Sequence, residues 1–122
     1  MPYIITPSKN GKYINVKVKG DIDTKIAMSY NIEAHALGKK LGINRYFVDL
    51  SKSRNIESVA DNYKFAYEDM KTPLIDKSAR VAALVAPEDH SHDFIETVLQ
   101  NSGFSIRIFT DRKLAKNFLL KE

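Results

Sequence analysis

The feature that most constrains this chain is an apolar run that does not alternate. Tyr46-Phe47-Val48 ends in Asp49 and Leu50, and a polar stretch with alternating basic residues follows. A strand with one wet face alternates apolar and polar residues; a run that fails to alternate reads as a strand buried on both faces. Arg80-Val81-Ala82-Ala83-Leu84-Val85-Ala86 is a second such run, stopped by Pro87. Strands buried on both faces need covering layers, and the segments between these runs have helical spacing.

Taken in order, the chain supplies those layers. Tyr3-Ile4-Ile5-Thr6 reads as a first strand ended by Pro7, and Asn10-Gly11 as a tight turn. Ile14, Val16 and Val18 then alternate with Asn15, Lys17 and Lys19, which predicts a second strand paired in a hairpin. Gly20-Asp21-Ile22-Asp23 reads as a turn, with Asp23 or Thr24 capping the next helix. Ile26, Tyr30, Ala34, Leu37 and Leu41 form a helical stripe, closed by Gly42 and favoured by Lys39 and Lys40 in the last turn. Ser58-Val59-Ala60-Asp61 looks like a capped helix start; Val59, Tyr63, Ala66, Tyr67 and Met70 form its expected inner stripe, and Thr72-Pro73 its end. Glu88-Asp89-His90-Ser91-His92-Asp93 is a polar loop into a helix with Phe94, Ile95, Val98 and Leu99 inward. Ser105-Ile106-Arg107-Ile108-Phe109 is the last strand, and Asp111 caps a helix with Leu114, Ala115, Phe118 and Leu119 inward. The order is β-β-α-β-α-β-α-β-α. This predicts an α/β fold, a mixed, mainly parallel sheet with helices packed on it, with right-handed crossovers.

A chain of 122 residues is one domain, 1–122, large enough to bury its own core. It has no cysteine, which excludes disulfides, cysteine-ligated metals and a thiol nucleophile. No apolar run approaches the ~20 residues that span a bilayer, and the N-terminal stretch lacks signal-peptide character. A cytoplasmic location is expected. The net charge of +4 is spread along the chain with no basic block, as on a solvated surface, and no nucleic-acid partner is expected.

The landmarks together resemble the SpoIIAA-like proteins, the soluble branch of the STAS superfamily also described as STAS/SEC14-like. The resemblance rests on the Gly20-Asp21-Ile22-Asp23 segment, the Tyr46–Leu50 and Arg80–Val85 strands, and the ending Ile106-Arg107-Ile108-Phe109-Thr110-Asp111 with Ala115 and Phe118-Leu119. It covers essentially the whole chain. It implies a small α/β domain that is not an enzyme in its own right, in a superfamily whose members bind a kinase partner, form cytoplasmic parts of anion transporters, or bind nucleotides or lipids. The anti-anti-sigma branch carries a phosphorylated serine in a D-S-[ST]-G motif at the helix after the central strand. The matching position here is Ser58, preceded by Glu57 and followed by Val59-Ala60, so the glycine is absent.

The remaining chemistry is sparse. Asp49 at the end of the central strand and Ser51 beside it are candidates to orient a ligand, against a purely local capping role. Lys52 and Arg54 are candidates to hold an anion near the helix starting at Ser58, although no glycine-rich phosphate cradle exists. Ser58 itself is either a phosphoacceptor or an ordinary N-cap. Glu88, Asp89, His90, His92 and Asp93 are metal-ligand types without a zinc spacing, so no metal site and no cofactor is expected. His35 is expected at the boundary of the first helix. A serine-hydrolase set drawn from Ser58, His90 or His92, and Asp49 has no nucleophile elbow behind it.

Tyr63, Phe65 and Tyr67 crowd one helix, and Phe65 lies about 200° from Tyr63, which predicts an exposed aromatic face. The sequence therefore predicts a non-catalytic interaction or regulatory module. It would bind a protein partner or itself through the helix over 58–70 and a loop over 52–55, with Phe65 as the outward ring. The alternative is a small apolar ligand or lipid carrier, with a cavity between the sheet and the helices over 58–70 and 91–102 and basic residues at its mouth.

Overall fold

A computed structural model of the chain describes residues 2–121. The elements run β1 (Tyr3–Pro7), β2 (Ile14–Ile22), α1 (Thr24–Leu41), β3 (Arg45–Asn55), α2 (Val59–Tyr67), a 3-10 turn (Asp69–Lys71), β4 (Arg80–Leu84), α3 (Asp93–Asn101), β5 (Ser105–Phe109) and α4 (Arg112–Leu120). This is the predicted order. The sheet is five-stranded in the order β1-β2-β3-β4-β5. β1 and β2 are antiparallel, and all other pairings are parallel.

The hairpin turns at Gly11, whose φ of 71° is the left-handed conformation that the Asn-Gly pair anticipates. Asp23 caps α1 by accepting Ile26 N–H at 2.8 Å, and Gly42 closes it with φ 72°. The Glu57 carboxylate adds a second acceptor at the same helix end, taking Thr24 N–H at 2.8 Å and Thr24 O–H at 3.0 Å. Two carboxylates beside the positive end of the longest helix are electrostatically favourable.

Alternation along the strands divides the core in two. Ile14, Val16, Val18, Tyr46, Val48 and Leu50 face the layer of α1, α2 and α3, with Phe65, Ala66, Val98 and Leu99 packed on them. Phe47, Ala82 and Leu84 face the other way, against Ala115 and Leu119 of α4. β3 is thus buried on both faces, as its lack of alternation requires. Cations clad the α4 side: Arg112 and Lys116 lie over the Phe47 ring, and Arg80 and Arg107 over Phe118. Arg80 also donates to the carbonyls of Phe118 and Lys121, closing the C-terminus of α4.

Several boundaries differ from the sequence reading. Gly20, Asp21 and Ile22 belong to β2 and are not a turn. β3 continues to Asn55, so residues 52–55 are strand and not loop. These two extensions pair with each other, Lys19 with Lys52 and Ile22 with Asn55. The pairing steps from Lys17–Asp49 to Lys19–Lys52, so β3 carries one extra residue there. This bulge reverses the phase of the strand. Leu50 faces the helical layer, and beyond the bulge Ser53 and Asn55 face it, while Lys52 and Arg54 are exposed. Leu41 and Leu114, predicted inward, are exposed, because α1 extends past the sheet and α4 buries only the Ala115–Leu119 line.

Gly38 lies at normal helical φ, yet the space for a Cβ is filled by the Tyr46 hydroxyl and the Ile43 carbonyl. Alanine is the better helix former by ~1 kcal/mol, so a surface glycine would gain from the change. Here Gly38→Ala is expected to destabilise by about 1–3 kcal/mol through overpacking. Urea unfolding measures it; an unchanged or raised midpoint would show that α1 and β3 are not pressed together at this point.

Candidate functional surface and cavity

Two features stand out, and the sheet separates them from part of the predicted set. On the α4 side, Asp49 Oδ1 accepts Ser51 N–H at 3.0 Å and Ser51 O–H at 2.6 Å, and Asp49 Oδ2 accepts from Arg112 Nη2 at 3.2 Å. Desolvation pushes this carboxyl upward, but the two Ser51 bonds and Arg112 outweigh it and hold Asp49 below its ordinary value. Asp49 and Ser51 therefore satisfy each other and anchor α4. Lys52 and Arg54 are exposed on β3 beyond the bulge. None of these four residues shares a surface with α2, which packs on the opposite face of the sheet.

α2 is rotated relative to the expected stripe. Asn62, Phe65 and Ala66 are buried, Phe65 at 4% exposure. Val59 and Tyr63 point outward, exposed at 66% and 54%. The sequence reading of Phe65 as the outward ring is corrected. Both faces of this short helix carry apolar residues, so periodicity alone cannot choose between them. The choice turns on Asn62, a polar group that must be paired when buried. Asn55 Nδ2 donates to Asn62 Oδ1 at 3.0 Å, and Asn55 faces the helical layer because of the bulge. Ser58 caps α2 by accepting Asp61 N–H at 3.1 Å.

The outward face carries exposed apolar side chains. Ile56, exposed at 56%, precedes Val59 and Tyr63 at the head of the helix. The Tyr63 ring stacks on Tyr67 with centroids 4.5 Å apart, and Lys71 Nζ lies 5.7 Å over Tyr67.

The second feature is a cavity of about 90 Å³ between the sheet and the helices. Leu50, Phe65, Met70, Leu99 and Ile106 give it apolar walls. Its charged lining is acidic, Asp23, Glu57, Asp76 and Glu96, and no lysine or arginine lines it. The expected basic mouth is thus absent. Tyr30 lines the cavity, buried. Burial pushes its ionisation well upward. His35, predicted at a boundary, is buried, stacked on Tyr46 at 4.4 Å, and its Nδ1 accepts Asp76 N–H at 3.0 Å.

The histidine-rich loop is dispersed. His92 is buried, with Nε2 at 3.3 Å from Ser53 O and 3.5 Å from Asp89 Oδ2, whereas His90 is exposed beside Asp93 at 3.1 Å. Within the loop, Asp89 accepts Ser91 N–H at 2.9 Å and Ser91 Oγ accepts Asn55 N–H at 3.0 Å. Among the described residues no group of three or more His, Cys, Asp or Glu side chains could hold a metal ion. No helix among the described residues is long and apolar enough to cross a membrane.

No protein-family profile matches the chain, and no curated protein matches it. Among solved structures it is similar to an uncharacterized protein of the DUF3478 family with a SpoIIAA-like fold from Shewanella loihica PV-4. The two are 20% identical, the match covers 96% of this chain and 91% of that one, and the TM-score is 0.55. The chain has a SpoIIAA-like α/β fold.

The His35 environment has a pH consequence. Desolvation lowers its pKa below 6.5, with Asp76 opposing in part. The folded state favours the neutral ring, so its contribution is present above about pH 6.5 and is lost as pH falls through the lowered folded value. The depressed carboxylates Asp49, Asp76 and Asp89 act only at and below their ordinary value near 3.8. Stability should therefore fall from pH 7 to pH 5, and His35→Phe should flatten that slope while lowering stability at pH 7. Urea midpoints across this range decide it; identical slopes in both proteins would remove His35 as the cause.

Proposed function

We propose that the chain is a non-catalytic interaction module that docks a protein partner on the outward face of α2. The observation that carries this reading is the stripe of Ile56, Val59 and Tyr63, each more than half exposed. Large apolar side chains left in water close together in the chain mark a contact surface. The helix beneath them is fixed to the body by the Asn55–Asn62 pair and by Ser102 Oγ, which donates to Ala66 O at 3.1 Å, so the stripe is presented rigidly. Its surroundings are acidic: Glu57, Asp61, Glu68 and Asp69 against Lys64 and Lys71 leave a charge of −2 in a chain of net +4. The complementary partner presents an apolar patch with a basic rim.

Ser58 stands exposed at the head of the stripe, and phosphorylation there would add about two negative charges beside the helix N-terminus. Asp49 lies across the sheet from α2, and the hydroxyl of Ser58 is engaged as a cap.

The carrier reading gains little from the cavity. Its volume of about 90 Å³ is below the ~150 Å³ that holds a benzene ring and far below the ~300 Å³ where ligand pockets begin. A lipid panel is expected to leave the melting temperature unmoved; a rise of several degrees with any one lipid would restore that reading.

The direct test is Tyr63→Glu. The side chain is solvent-exposed, so the fold should be kept, as circular dichroism would report. A partner retained by the wild type should bind the variant about 30-fold more weakly, the loss of ~2 kcal/mol typical of a tyrosine hot spot. Equal retention by both proteins would sink the α2 surface.

A further inference from the structure

The outer strands of the sheet are finished differently. Phe109 O accepts Val85 N–H at 2.8 Å, so strand alternation turns the backbone groups of Ile106 and Ile108 to the free edge of β5. α3 covers them. Gln100 Nε2 donates to Ile106 O at 2.8 Å, and Glu96 Oε2 accepts Ile108 N–H at 2.7 Å. Side chains one helical turn apart thereby block that edge to another strand.

β1 has no such cover. Lys19 N–H donates to Pro2 O, and Ser8 N–H to Tyr13 O, both at 2.8 Å, across directly opposed positions of the hairpin. Alternation between these two pairs makes Ile4 and Thr6 the residues bonded to β2 and turns the N–H and C=O of Tyr3 and Ile5 outward. Among the described residues no hydrogen bond engages them. Pro7, with no N–H, ends the open stretch. Ile4 is 64% exposed on the sheet face that α4 leaves bare, opposite Lys17 of β2.

We infer that β1 pairs antiparallel with β1 of a second copy of this chain, about a two-fold axis at Ile4. This surface is distinct from the α2 stripe. The register is self-complementary. Tyr3 lies opposite Ile5 of the other copy, and the reverse, each pair exchanging both backbone bonds. Ile4 then meets Ile4 of the other copy as a non-hydrogen-bonded pair, where side chains approach most closely. Its exposure is thereby explained.

Charge favours a second copy as the occupant. β1 carries no ionisable group other than Tyr3, so self-pairing sets no like charges opposite each other. Lys17, one strand inward, stands three strand spacings from its equivalent, ~14 Å, which exceeds the ~8 Å screening length at physiological salt. Because the β5 edge is covered, pairing closes at an isologous dimer with a continuous sheet and does not propagate.

Sedimentation velocity and native mass spectrometry of the untagged chain, with amide exchange at Tyr3 and Ile5, test the inference. The wild type should be a dimer with slow exchange at both amides. Ile4→Lys and Ile4→Glu each place like charges on the axis and should give folded monomers with fast exchange at both positions. Mixing the two variants should restore a dimer of mixed mass. A wild-type monomer with fast exchange overturns the inference, as does a dimer that neither variant weakens. Slow exchange that appears only when another protein is added would assign the edge to a foreign strand and also overturn it. Tyr63→Glu should leave the dimer intact, so this result and the α2 reading stand or fall separately.

Discussion

The structure depends on how Asn55 is held. The extra residue of β3 between Asp49 and Lys52 reverses the phase of the strand and turns Asn55 toward the helical layer. There its side chain donates to Asn62 of α2 and accepts from Glu57 N–H at 2.9 Å, and its backbone N–H donates to Ser91 before α3. One residue thus links the end of the central strand to both neighbouring helices. The Asn55 and Asn62 side chains bond to each other, which makes the arrangement specific as well as stable. Glu57, placed by the same turn, closes the start of α1.

The two faces of the sheet are built by different means. The helical layer is largely apolar packing around a small cavity. The α4 side is thinner: one short amphipathic helix, aromatic rings, and the stems and charges of Arg80, Arg107, Arg112 and Lys116 laid over them. Four of the 19 Lys and Arg residues are used in this way. A mild basic excess that reads in the sequence as a diffuse field is in part a structural coat. The acidic surroundings of α2 stand apart from it, which gives the outward stripe an electrostatic character of its own.

Some of the exposed apolar residues fall at places where the fold ends its own pairing. Ile56, Val59 and Tyr63 lie where α2 turns its second apolar face to water. Ile4 lies where the hairpin extends beyond the reach of α4. A five-stranded sheet covered on one side by a single helix of Arg112–Leu120 leaves part of a face open, and that incompleteness is where contacts with other molecules are to be sought.

By itself the sequence determined the element order, the antiparallel hairpin, the capped ends of α1, and the burial of β3 on both faces. Each follows from local chemistry: Asn-Gly at a turn, Asp23 and Gly42 at helix ends, an apolar run without alternation. The tertiary structure alone decided which face of α2 is inside. Of the expected stripe, Ala66 and Met70 are buried and Tyr67 packs against the core, whereas Val59 and Tyr63 turn out to water and Phe65 turns in, a choice that goes with the meeting of Asn62 and Asn55 across the bulge. It also decided that Asp49 and Ser51 anchor α4, that His92 and His35 are buried, and that residues 52–55 are strand. Several of these outcomes depend on partners 30 or more residues away, such as Asn55 with Ser91 and Asp49 with Arg112, and the Asn55–Asn62 pair, seven residues apart, depends on the bulge in β3. Periodicity reports what a segment does with itself; it carries no record of the distant group that a buried polar side chain must find.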